Sequence, residues 1–62
     1  MSVLEYTADG SRLDVLLSQD GALSRSRAAE LIKGGAVTVD GRAEAKPSAK
    51  PAPGALVRVE VP

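Results

Sequence analysis

Leu23-Ser24-Arg25-Ser26-Arg27-Ala28-Ala29-Glu30-Leu31-Ile32-Lys33-Gly34-Gly35 runs straight into Ala36-Val37-Thr38-Val39-Asp40-Gly41, and the fold follows from how this stretch is read. Ser24 is an N-cap residue type, and Leu23 before it can staple against Ala28 four positions into the helix. Ala28, Leu31 and Ile32 fall at i, i+3, i+4, one apolar stripe of a short helix. Lys33 suits the last turn, and Gly34-Gly35 ends the element. Val37 and Val39 then alternate with Thr38 as a strand, and Asp40-Gly41 is a two-residue hairpin turn signal. A helix start favours acids, because its backbone N–H groups carry partial positive charge. Here the first turn holds Arg25 and Arg27 instead, a local misfit that points to a negatively charged partner.

Working towards the N-terminus, Ser11 to Asp20 reads as another helix, with Leu13, Leu16 and Leu17 on one face. Ser11 is its expected N-cap, Asp14 three residues on resembles the acid of a capping box, and Gly21 is its expected stop. Asp9-Gly10 marks a turn before it, and Val3 to Thr7 reads as a short strand. Towards the C-terminus, Arg42 to Ala45 is a weak return strand. The segment Lys46-Pro47-Ser48-Ala49-Lys50-Pro51-Ala52-Pro53-Gly54 holds three prolines in seven residues (47 to 53), so it is neither helix nor central strand. Leu56 to Val61 is the cleanest strand, with Val57, Val59 and Val61 on one face and Arg58 and Glu60 on the other. The element order is β-α-α-β-β-β, and the class is α+β: two short helices packed on a small, mainly antiparallel sheet. Residues 1–62 form one small domain.

Composition narrows the chemistry. The only aromatic residue is Tyr6, so Leu, Val, Ile and Ala must build the core. Tyr6 itself reads as part of that core. With no Cys and no His, neither thiol chemistry nor a zinc site is expected, and the absence of cysteine suits a cytoplasmic protein. No apolar run approaches the roughly 20 residues of a membrane span, and the N-terminus lacks a signal-peptide layout. No cofactor is expected. No nucleophile has an evident base partner, and Gly34-Gly35 closes a helix where a phosphate loop would open one, so no catalytic residue is assigned. The net charge is zero, yet unevenly spread. Residues 1–20 hold Arg12 against Glu5, Asp9, Asp14 and Asp20. Residues 21–50 hold Arg25, Arg27, Lys33, Arg42, Lys46 and Lys50 against Glu30, Asp40 and Glu44. A neutral total can hide a basic face.

Taken together, Arg12-Leu13-Asp14, Ser24-Arg25-Ser26-Arg27-Ala28 with Leu31-Ile32, Gly35 to Gly41, Lys46-Pro47, and Gly54-Ala55-Leu56-Val57-Arg58-Val59 resemble the S-four RNA-binding domain. That module, the αL motif, is named after small-subunit ribosomal protein four. The likeness covers roughly residues 11–61. Asp40-Gly41 stands where many members have Asn-Gly, and this copy is less basic than many. An N-terminal strand before Arg-Leu-Asp, and a Val-x-Val-Pro ending, is similar to the N-terminal module of rRNA pseudouridine synthases. That likeness implies a covalently linked catalytic domain, an isomerase acting in RNA modification and ribosome biogenesis, after Pro62. Related modules occur in haemolysin-like rRNA methyltransferases, bacterial tyrosyl-tRNA synthetases and heat-shock proteins that bind stalled ribosomal subunits.

The resemblance implies structured RNA, rRNA above all, as the partner, with no membrane and no metal. The expected RNA-binding residues are Arg12, Ser24, Arg25, Arg27, Lys33, Arg42 and Lys46. Arg25 and Arg27 suit phosphates, because the guanidinium fork matches phosphate oxygens. They share no helical stripe with Lys33, so the expected surface is the helix start plus adjacent loops. Each residue also has a plainer reading. Arg12 either extends the surface or pairs with Asp9 or Asp14. Ser24 caps its helix. Arg42, Lys46 and Lys50 serve solubility as readily as binding. Asp14 is read as structural and not catalytic, because it sits in an amphipathic helix. A protein-docking module is the competing function, and the zero net charge is its support.

Overall fold

A computed structural model describes residues 2–62. The elements are β1 (Ser2–Thr7), α1 (Leu13–Ser18), α2 (Arg25–Lys33), β2 (Val37–Val39), β3 (Arg42–Ala43) and β4 (Leu56–Val61). The expected α+β class and β-α-α-β-β-β order are both observed. The four strands form one sheet in the order β1-β4-β2-β3, with every neighbouring pair antiparallel. The cleanest strand in the sequence is therefore an interior one, paired with β1 on one side and β2 on the other. On β4, Val57 faces Tyr6 of β1 and Val39 of β2, while Val59 faces Leu4 and Val37.

Strand alternation sends those residues to one side of the sheet, where both helices lie. Leu13, Leu16 and Leu17 of α1 and Ala28, Leu31 and Ile32 of α2 pack with Val37, Val57 and Val59 into one core. Leu23, Ala8 and Ala55 close its rim, and Leu4, Tyr6, Val39 and Val61 lean on it half-buried. The buried Leu23 and Ala28 stand at the staple positions. The opposite sheet face carries Val3, Glu5, Thr7, Leu56, Arg58 and Glu60, all exposed, with Glu5 directly across from Arg58.

The end of α2 has the expected glycine stop. The Gly35 N–H donates to the Ile32 carbonyl and the Ala36 N–H to the Leu31 carbonyl, with Gly35 at φ +84°. This is the Schellman arrangement, and it turns the chain into β2. Asp40 and Gly41 both have positive φ, +50° and +83°, as a type I′ hairpin requires. Asp40 also holds the next strand: its N–H donates to the Leu56 carbonyl, and its Oδ1 accepts from the Leu56 N–H at 2.9 Å.

Four boundaries, in three elements, differ from the sequence reading. The helix expected over Ser11–Asp20 is only Leu13–Ser18, and Ser11 is not its cap. The Ser11 N–H instead donates to Asp9 Oδ1, which keeps residues 9–11 in a turn. Arg12 occupies the N-cap position with no capping side chain. The carbonyls of Ala49 and Pro47 accept from the Leu13 and Asp14 N–H groups at 2.8 and 3.1 Å. The proline-rich loop therefore caps α1, a long-range partner that local pattern does not reveal. At its other end the helix stops at Ser18 with Gln19 as its C-cap, so Gly21 is not the helix stop expected but takes φ +78° in the turn that follows. The return strand is Arg42–Ala43 and not Arg42–Ala45: the Glu44 N–H makes a last bond to the Val37 carbonyl, and beyond it Glu44 Oε1 accepts from the Lys46 N–H in a turn. The first strand begins at Ser2, one residue earlier than expected.

Candidate nucleic-acid interface

The start of α2 is built by Ser24. Its Oγ accepts from the Arg27 N–H at 3.1 Å and its carbonyl accepts from the Ala28 N–H. The cap fixes where the helix begins, and so where Arg25 and Arg27 stand. At about 100° per residue they are roughly 200° apart, so they leave the first turn on two sides of the buried stripe. Arg25 is on the side that meets α1. Its Nη2 lies 3.5 Å from Asp14 Oδ2, and Arg12 Nη2 lies 3.1 Å from the same oxygen. Arg27 makes no ion pair among the described residues.

Asp14 is the centre of this arrangement. It is only 7% exposed, and no other charged residue is buried among those described. Its Oδ1 accepts from the Val15 N–H at 2.8 Å, and its Oδ2 serves the two guanidiniums. The buried carboxylate is thereby compensated on both oxygens, as a buried charge requires. Both arginines remain largely in solvent, with side chains 46% and 62% exposed for Arg12 and Arg25. Of the two alternatives for Arg12, pairing with Asp14 is observed, and it does not remove Arg12 from the surface. Asp14 as a structural residue agrees with these contacts.

The loop that caps α1 carries Lys46 at its beginning and Lys50 at its middle, both exposed. Because Pro47 and Ala49 bond to the first turn of α1, this loop sits against the helix start that bears Arg12. Lys33 is at the other end of α2, about 12 Å along the axis from Arg25 at 1.5 Å per residue. Arg42 is on β3 at the sheet edge, exposed, beside an open recess lined by Val39, Asp40, Ala43 and Glu44. The structure thus joins Arg12 to Arg25, sets the Lys46 loop beside them, and places Ser24 and Arg27 in the same α2 turn. It does not bring Lys33 or Arg42 into that cluster. The sequence reading missed Asp14 as the link between the helices. Its i, i+2 spacing from Arg12 was visible, but its contact with Arg25 spans eleven residues and left no local signal.

Two other polar groups are perturbed. The Tyr6 hydroxyl lies 3.3 Å from the Leu17 carbonyl oxygen and 3.4 Å from Asp20 Oδ1, either of which can accept its proton. Burial, and then the Asp20 charge, push the phenol above its ordinary pKa. Tyr6 thus belongs to the core margin, as its sequence context suggests. Asp9 is held below the usual carboxylate range by hydrogen bonds from Ser11. Among the described residues no group of acids could hold a metal ion, and no helix is long and apolar enough to cross a membrane.

Across families of known proteins, the S4 domain matches residues 11–57, which is more than half of the chain. The chain belongs to the S4 domain family. The matched span starts at the turn before α1 and ends inside β4, so it takes in both helices, the hairpin and the capping loop. Comparison with curated proteins gave no match. S4 domains are in general RNA-binding modules, and three exposed guanidiniums stand at the helix starts of this one. Two guanidiniums share one anchor, and a third, Arg27, stands in the same turn as Arg25. Guanidinium forks recognise phosphate oxygens, the dominant feature of any RNA surface.

Proposed function

We propose that this S4 domain grips structured rRNA through its phosphates, using the start of α2, the paired Arg12 and Arg25, and the Lys46 loop. The observation that carries this reading is the exposed pair of guanidiniums on the single Asp14 oxygen, within a chain of an RNA-binding family. Recognition is by charge and shape, as is usual for helical RNA. Ser24 contributes by fixing the helix start. Lys33 and Arg42 extend the surface only for an RNA broad enough to reach the far end of α2 or the sheet edge. Replacing Arg25 and Arg27 together by Ala is expected to weaken binding of an rRNA fragment about tenfold or more, in line with losing two charge-assisted contacts. The thermal unfolding midpoint should fall only modestly, because Arg12 stays paired with the buried Asp14 when Arg25 is removed, and Arg27 makes no ion pair among the described residues. Unchanged affinity at low salt would remove this surface from the RNA reading.

In the same reading, residues 1–62 are the RNA-gripping domain of a larger cytoplasmic enzyme, an rRNA pseudouridine synthase whose catalytic domain follows Pro62. The strand before Arg12-Leu13-Asp14 and the ending Val59-Glu60-Val61-Pro62 support that parent. The domain would hold the isomerase on its substrate during ribosome biogenesis, with no cofactor of its own. Sequencing the reading frame downstream of residue 62 tests this. A pseudouridine synthase domain is expected there. A stop codon or a domain of another kind would refute the enzyme reading and leave RNA binding standing.

Protein docking is favoured by one observation, the zero net charge, together with the sheet face on which Glu5 and Arg58 oppose each other. In that case RNA titrations would be featureless at low salt as well as at high salt.

A further inference from the structure

Asp14 is a buried acid inside a surface assigned to an anionic ligand. At first sight it should repel RNA. Its contacts suggest otherwise. Arg12 and Arg25 are cations on different helices' starts, and two free guanidiniums would repel each other and sample many rotamers. Asp14 Oδ2 accepts a hydrogen bond from Arg12 Nη2 at 3.1 Å, and Arg25 Nη2 stands 3.5 Å from the same oxygen as a longer ion pair. A guanidinium has five N–H donors, so each keeps most of its fork for solvent. Asp14 is itself fixed, because Oδ1 holds the Val15 N–H and its backbone N–H donates to Pro47 in the capping loop. It is a rigid anchor with two cationic arms.

We propose that Asp14 is a positioning residue for RNA binding: it holds Arg12 and Arg25 side by side so that the pair clamps one phosphodiester, each guanidinium taking one non-bridging oxygen. This rests on the RNA reading given above. The gain is preorganisation, since two flexible side chains are ordered before the RNA arrives and not at its expense. It also lets a chain with zero net charge present a local excess of positive charge, two arginines against one acid.

The sign of one substitution separates this role from simple charge balance. Asp14→Asn keeps the side-chain size and an oxygen for the Val15 N–H, but loses the charge that holds the arms. If Asp14 only offset positive charge, its removal would tighten RNA binding. If it positions the arms, binding to a labelled RNA stem-loop weakens about tenfold, the cost of ordering two arginines on binding. The loss should disappear when Arg12 and Arg25 are both already Ala. Tighter or equal binding by Asp14→Asn, or an equal loss in the double-Ala background, would overturn the proposal.

A measurement on the unsubstituted chain does not depend on the variant folding. Arginine side-chain Nε relaxation by NMR should show Arg12 and Arg25 ordered and Arg27, Arg42 and Arg58 mobile. All five equally mobile would overturn the positioning role whether or not RNA binds. A wild-type chain with ordered Arg12 and Arg25 but no salt-sensitive affinity for any rRNA stem-loop would instead defeat the RNA reading, and the phosphate clamp with it.

Discussion

A single carboxylate oxygen organises the surface of this domain, and a single phenol shows how the other side of α1 is held. Tyr6 reaches from β1 to the end of α1, where its hydroxyl meets Leu17 and Asp20. Its pKa is raised by burial first and by Asp20 second, so the neutral phenol is the form the fold prefers. The sign follows from linkage. The stability this preference supplies is fully present below the unfolded pKa of about 10 and is lost as pH rises through the higher folded value. Alkaline unfolding followed by circular dichroism should therefore show wild type losing stability above pH ~10 faster than Tyr6→Phe. Parallel curves would contradict the assignment. Residue roles were legible in the sequence where the partner is close, Ser24 as cap and Asp40-Gly41 as turn, and Tyr6 could be assigned to the core from strand alternation though not its bonds to Leu17 and Asp20. The Asp14–Arg25 contact was not legible, because a helix pattern fixes which face is buried and not which polar groups meet across two helices.

The elements divide in the same way. Both ends of α2 were readable, because cap and stop are local chemistry: a Ser hydroxyl on an N–H three residues on, and a glycine in the left-handed region. Gly35 gives a direct test. It sits at φ +84° with nothing within 4 Å of where a Cβ would be, so Ala there meets conformational strain and no clash. Gly35→Ala should cost about 1–2 kcal/mol in chemical denaturation, the left-handed penalty of an L-residue. Gly35→Asn should cost less, because Asn tolerates that region. A neutral Gly35→Ala would mean that the α2–β2 turn is not held as described. The start of α1 was misread because its cap is not local. The Asp9 side chain holds Ser11 in a turn, and the loop carbonyls of Pro47 and Ala49 take over the capping. The same bonds explain why a proline-rich loop with no regular structure has a defined place: it closes one end of the core and carries its lysines to the helix start.

At the scale of the whole molecule, 62 residues enclose one core, and a chain of this size buries only about 60% of its unfolded surface. Leu13, Leu17, Ile32, Val37, Val57 and Val59 are fully enclosed, which commits both helices to one sheet face. The arginine-bearing helix starts are left at the edge of that layer, where they are rigidly carried and still wet. The α+β order and the β4 strand could be read from periodicity, since valine alternation survives without knowledge of partners, but the interior place of β4 in the sheet could not. The interface could be read only as a set of basic residues, and the fold sorted them by drawing Arg12 and Arg25 together and leaving Lys33 and Arg42 apart. Membership of the S4 domain family makes RNA the expected class of ligand, and the central claim is that this sorted cluster is where RNA binds. An NMR titration of the chain with an rRNA stem-loop at two salt concentrations tests it most directly. Three to five phosphate contacts on a duplex stem predict a log–log salt slope of about −3 to −4.5. The account predicts that slope, with shifts concentrated on Arg12, Arg25, Arg27 and the Lys46 loop and weaker at higher salt. Shifts that ignore salt, or that gather on the Glu5–Arg58 face of the sheet, would contradict it.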